Sequence, residues 1–132
     1  MNETTRARLA LAALAYLILT VIHDLDHVRQ GRGLPLEVKV IGVVAIVSAI
    51  AVVVLSLRGH PFAPFAALVV GVGSVVGFVA VHLVPRWSAI SDPYAEAGVD
   101  ALSYGIVFAT MAAGTYLALE GLRSVREISA AD

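Results

Sequence analysis

Cysteine is absent from the 132 residues, which excludes disulfides, thiolate metal sites and thiol catalysis, including quinone-linked thiol oxidation. Charge is scarce: 14% of residues are charged and the formal net charge is −1. No run of like charge is long enough to suggest a nucleic-acid partner or an anionic-surface tail. Lys39 is the only lysine among nine basic residues. Together with heavy use of Ala, Val, Gly and Arg, this points to a GC-rich bacterial genome.

What is present is apolar. Hydrophobic residues make up 59% of the chain and the mean hydropathy is +0.88, values that describe an integral membrane protein. Apolar segments run over Leu9–Ile22, Val40–Leu57, Phe62–Val81 and Ala101–Leu119, that is 14, 18, 20 and 19 residues by subtraction. The last three meet the roughly 20-residue requirement for crossing ~30 Å of hydrocarbon. The pattern predicts an all-α, up-down-up-down four-helix bundle forming one domain over residues 1–132, with spans near 7–28, 36–57, 61–84 and 93–122. The N-terminal MNETTRAR resembles the start of a signal peptide, but HDLDH replaces a small-x-small cleavage site, so the first span is expected to stay uncleaved.

Turn residues mark the joints. Gly33 and Pro35 close the first loop, Arg58-Gly59-His60-Pro61 forms a tight second one, and Asp92-Pro93 reads as a cap opening the fourth helix. The N-terminus, second loop and C-terminus hold Arg6, Arg8, Arg58, Arg123 and Arg126; the other two loops hold Arg29, Arg32, Lys39 and Arg86. The five-to-four margin places both termini on the cytoplasmic side of a bacterial inner membrane. With either orientation, loops one and three share a face, so His23, Asp24, Asp26, His27, His82, Arg86, Trp87, Asp92 and Tyr94 gather there, and His60 lies opposite.

In GVGSVVG, Gly73 and Gly77 form a small-xxx-small pair, and Gly105, Ala109 and Ala113 offer a matching face on helix four. Such stripes let backbones approach closely in lipid, either within one bundle or at a homodimer seam. Trp87 and Tyr94 read as aromatic-belt anchors. Glu120 and Arg123 read as a surface pair one turn apart.

The polar end of helix one carries the chemistry. At 100° per residue, Tyr16, Thr20, His23, Asp26, His27 and Gln30 share one face. With Arg8 at the inner boundary, a rise of ~1.5 Å per residue puts His23 about 22 Å and His27 about 28 Å into a ~30 Å slab. Ionisable groups at that depth need partners. Two imidazoles at i and i+4 can share a divalent ion, with Asp26 beside them and His82 arriving from helix three. Around these four expected ligands, Asp24, Arg29, Arg86, Asp92, Tyr94 and Asp100 are expected to orient them or to act as a lid. Imidazoles with a carboxylate favour zinc or another late transition metal over calcium. Haem is the weaker fit, because all candidate axial ligands sit near one face.

The HxxxH pair with a further His and an Asp on other helices resembles the ligand set of intramembrane zinc hydrolases such as the alkaline ceramidase superfamily. The resemblance covers His23, His27, His82 and an Asp not assigned to a position. Four spans are too few for the seven of that fold, so its activity is not carried over. The sequence therefore leads to a small tetraspan protein that binds or senses a divalent metal at its outer interface. Its alternatives are an accessory subunit with a metal-free ion-pair network, half of a dimeric transporter, and a metal-dependent membrane hydrolase using Asp24 or Asp26 as general base.

Overall fold

The computed structural model describes residues 1–130, and these are all-helical, with no strand. Helix α1 spans Glu3–Arg29, α2 Leu36–Leu57, and α3 Ala63–Phe78, continued by a π-helical turn over Val79–Leu83. A single turn, α4, covers Tyr94–Ala97, and α5 runs over Ala101–Ser129. Four of these are long and apolar enough to cross a membrane, α3 when counted through its π-turn to Leu83. They form an up-down-up-down four-helix bundle.

Local chemistry sets the ends. The Asn2 side chain caps α1 by accepting from Thr5 N at 2.8 Å. Gly31 and Gly59 take the left-handed conformation, at φ 64 and 67, in the two hairpin loops. The fourth span departs from the expectation that it begins at Pro93. Gly98, at φ 64, ends α4 after one turn, and α5 starts afresh with Asp100 as its cap, accepting from Ser103 N at 3.0 Å. Asp92, read from the sequence as that cap, is free for another task.

Helices α1 and α5 have the lowest mean hydropathies of the four spans, 1.7 and 1.5, and are the most enclosed. Leu9, Ala12, Ala13 and Tyr16 of α1 pack with Ala49 and Val52 of α2, Ala67 of α3 and Leu117 of α5. Helix α5 lies between α1 and α3, and α2 packs on α1 while touching α3 only sparingly.

The close approach between α3 and α5 uses other glycines than the sequence pattern suggested. A Cβ on Gly71 would sit 2.5 Å from Ala118 N and Gly114 O, and one on Gly121 would sit 2.5 Å from Leu68 N. Around Gly73, Gly77 and Gly105, by contrast, an added Cβ meets nothing within 4 Å. The seam belongs to Gly71, Gly114 and Gly121; backbone contact of this kind drives helix association in lipid, where apolar burial gains nothing.

At the end of the bundle that holds both termini, Glu120 is no surface residue. It is 2% exposed, with Arg123 Nη1 at 2.7 Å and Arg8 Nε at 3.4 Å. Arg8 Nη2 and Thr5 Oγ1 both donate to Glu127, at 2.7 and 2.9 Å. These bonds pin α1 to α5 and draw α5 out to Ser129, beyond the expected end near residue 122.

Gly71→Ala and Gly121→Ala are expected to lose about 1–3 kcal/mol, because the new methyl meets backbone that cannot yield. Gly105→Ala is expected to be neutral or to gain up to about 1 kcal/mol from helix propensity. Reversible unfolding in mixed detergent micelles measures all three.

Candidate metal centre

The stripe on α1 faces inward along its whole length: Tyr16, Thr20, His23, Asp26 and His27 are all buried. The lower part is self-contained, with Thr20 Oγ1 donating to Tyr16 O at 2.9 Å. The upper part meets α3.

The π-turn of α3 delivers His82. Val84 N donates to Val79 O at 3.1 Å, a five-residue closure wider than an α-turn. Trp87 Nε1 caps Ala80 O at 2.7 Å, and Asp92 N caps Val81 O at 2.8 Å. The loop after α3 is thereby folded back over the end of α1. Arg86 takes part only by bracing this loop, through Glu96 at 3.3 Å and Ser91 O at 3.3 Å.

His23, His27 and His82 converge, with one ring nitrogen from each within 4.8 Å of the others. Their relative exposures are 4, 3 and 4%. The Nε2 atoms of His23 and His27 are 3.1 Å apart, close to the roughly 3.3 Å that two ~2.05 Å bonds make at a tetrahedral ion. His82 Nδ1 lies 3.2 Å from the carbonyl of Asp92 and 3.8 Å from its Oδ2, so its Nε2 is the nitrogen left to a ligand. Phe78 stands edge-on to His23 at 4.8 Å between ring centroids. Tyr94 roofs the group, 4.6 Å from His82, and is 1% exposed. It is therefore not an exposed belt anchor, and burial pushes its phenol up, keeping it protonated.

Of the two carboxylates expected at the histidines, Asp26 as a ligand and Asp92 as a residue that orients the ligands, only Asp92 lies where it was expected. Asp26 turns away from the imidazoles, accepting from Arg29 Nε at 2.7 Å and Gln30 Nε2 at 2.6 Å. Arg29 also donates to both oxygens of Asp100 at 2.9 Å and to Ser103 at 3.0 Å. This ion-pair network ties α1 to α5. Asp92 instead backs the histidines: Oδ1 is paired with Arg32, and Oδ2 lies 4.0 Å from His27 Nδ1. The ion pairs and the histidine cluster, alternatives from sequence, thus coexist on different residues. Asp24 belongs to neither: its carboxylate faces α2, with both oxygens 3.3 Å from where a Cβ on Gly42 would lie.

The chain matches no family model, no curated protein and no solved structure. Chemistry must therefore be read from the geometry. His23 Nδ1, His27 Nδ1, Asp92 Oδ2 and Tyr94 OH are buried and have no hydrogen-bond partner. Buried polar atoms of this kind are rare, and four gathered in one place require an explanation.

Tautomer counting supplies one. A neutral imidazole has one N–H and one lone pair. If the two Nε2 atoms bond each other, one ring must present Nδ1–H and the other a bare Nδ1 lone pair. A cation on both Nε2 lone pairs makes both rings Nδ1–H donors: His27 Nδ1 then faces Asp92 Oδ2 at 4.0 Å, as His82 Nδ1 faces the Asp92 carbonyl at 3.2 Å, while His23 Nδ1 keeps no acceptor among the described residues. Donation from the second ring nitrogen to a carboxylate or carbonyl is the usual support of a metal-bound histidine.

Arg29 holds the Asp100 carboxyl well below its ordinary value of 3.8, first by direct hydrogen bonds. A carboxylate depressed in the folded state contributes stability that is complete above its ordinary value and is lost as pH falls toward the folded one. Thermal unfolding of the wild type is expected to lose stability on acidification below about pH 4, and Asp100→Asn is expected to remove the Asp100 share of that slope. An unchanged slope in the variant would contradict the assignment.

Proposed function

We propose that the protein binds one divalent transition metal ion, zinc first, on His23, His27 and His82, as a binding or sensing protein of a bacterial cytoplasmic membrane with its termini inside. The observation that carries this reading is the convergence of three buried imidazoles, two of which, His27 and His82, turn Nδ1 toward Asp92. Three protein ligands leave a fourth position open, as in zinc sites that exchange a water or bind a small ligand. Asp92 orients His27 and His82, Arg32 holds Asp92, and Tyr94 shields the group from the loop side. Asp26, Arg29, Gln30 and Asp100 act as the brace that holds α1 against α5. A compact ion fits the group better than haem, because imidazoles in mutual contact between Phe78 and Tyr94 leave no plane for a macrocycle.

The depth of the site supports the same reading. A cluster of polar groups near the hydrocarbon edge costs stability unless it is satisfied, and a bound cation satisfies three nitrogens together. The neutral imidazoles that bind metal must be free of protons, so affinity is full where they are neutral and falls as protons compete.

Purified protein dialysed against zinc is expected to retain about one ion per chain by elemental analysis, and His23→Ala or His82→Ala to lose it. Asp92→Asn is expected to weaken affinity by about 10–100-fold while keeping the stoichiometry. No retained zinc, nickel, cobalt or copper in the folded wild type would overturn the proposal.

A further inference from the structure

The metal group is one end of a larger feature. A cleft of about 810 Å³ runs from His23, His27 and His82 down between α1, α2 and α3, within the roughly 300–1,000 Å³ of small-molecule sites. Its walls include no residue of α5. Its lips are Val43 on α2 and Val69 on α3, both exposed on the surface that faces lipid. The sparse contact between α2 and α3 makes this opening.

The geometry points to a bound membrane amphiphile: a single hydrocarbon chain lies in this cleft, with an anionic oxygen head at the histidine end. Three observations support that occupant. The lower walls are mainly apolar, carry no charge and hold only the hydroxyl residues Tyr16, Thr20, Ser48 and Ser74 among their aliphatic side chains, and they open sideways between two membrane-spanning helices, so a chain can enter without crossing water. Gly73 and Gly77 line the cleft where an added Cβ would meet open space; on α3 they leave a smooth trough, whereas Gly71, two residues away, is spent on helix contact. The polar groups are concentrated at the outer end, where Asp24, Arg32 and Lys39 line the cleft beside the imidazoles.

Charge selects the head. Asp24 and Asp92 balance Arg32 and Lys39, so a divalent ion on the three imidazoles leaves that end positive, with a coordination position open to an oxygen donor. A carboxylate or phosphate head supplies one. The head's placement rests on the metal reading above; the chain's place in the cleft does not.

A palmitate analogue with a mid-chain diazirine tests this in phosphatidylcholine nanodiscs, with adducts mapped by mass spectrometry and zinc measured in the same samples. Labelling of cleft-wall residues is expected to saturate and to be competed by unlabelled palmitate. Gly73→Phe and Gly77→Phe are expected to reduce it at least about tenfold with thermal midpoint and zinc content retained, and Gly73→Leu, a gentler filling, to reduce it partially. Gly105→Phe, on an exposed face of α5, is expected to label as the wild type. Chelating the zinc is expected to weaken labelling without moving the adducts. Uncompeted labelling spread evenly over lipid-facing residues would overturn the proposal, as would a folded Gly73→Phe that labels normally. Zinc retained without saturable labelling would sink the cleft occupant alone; saturable labelling in a chain that never holds zinc would sink the metal reading and the head's placement, not the chain's.

Discussion

Hydrocarbon offers no hydrogen bonds, and α1 buries ionisable groups directly after its apolar run; the structure at that end of the bundle answers that constraint. The apolar run of α1 ends at Ile22, and His23, Asp26 and His27 beyond it are buried against the bundle. Its inward stripe must therefore find partners within the protein rather than from water. Asp26 finds them at the end of α1 itself, in Arg29 and Gln30, which in turn donate to Asp100 and Ser103 of α5. The histidines find theirs on α3, and that division decides where each helix sits.

The same constraint explains the irregular end of α3. A straight α-helix would present its last carbonyls to the bilayer edge without donors. The π-turn offsets that by handing Ala80 O to the Trp87 indole and Val81 O to the Asp92 amide. Capping the helix and backing the histidines are thus one act: the residue that satisfies Val81 O also sets its carbonyl against His82 and its carboxylate near His27.

Helical spacing alone made the α1 stripe legible, because 100° per residue fixes which side chains share a face. It could not separate Asp26 from Asp92. Asp26 shares the stripe with the histidines but lies on its α5 side, and an Arg three residues on and a Gln four on claim its oxygens first. Asp92 looked like a helix cap, since Asp-Pro is a common start signal, yet Gly98 stops that helix and Asp100 takes the cap. The π-turn has no sequence signature of its own. The glycines went wrong by phase: Gly71, Gly73 and Gly77 lie close together on one helix, but two residues are 200° of rotation, so Gly71 faces α5 and Gly73 faces the cleft. Glu120 and Arg123 read as an exposed pair because Arg8 and Glu127, remote in sequence, are what enclose them.

Rigidity is distributed unevenly as a result. Helix α5 is fastened to α1 at both ends, by Arg29 with Asp100 at the histidine end and by Arg8 with Glu127 and Glu120 at the end that holds the termini, and to α3 by backbone contact at Gly71 and Gly121. These three helices hold the imidazoles on a stiff frame, which a site of fixed geometry needs. Helix α2 is joined to that frame along α1 and only weakly along α3, and no polar side chain bridges it to α3 among the described residues. The wall that can yield is therefore the one facing lipid, while the wall that carries the nitrogens cannot. A cleft so built can admit a chain of variable length without disturbing the positions of His23, His27 and His82.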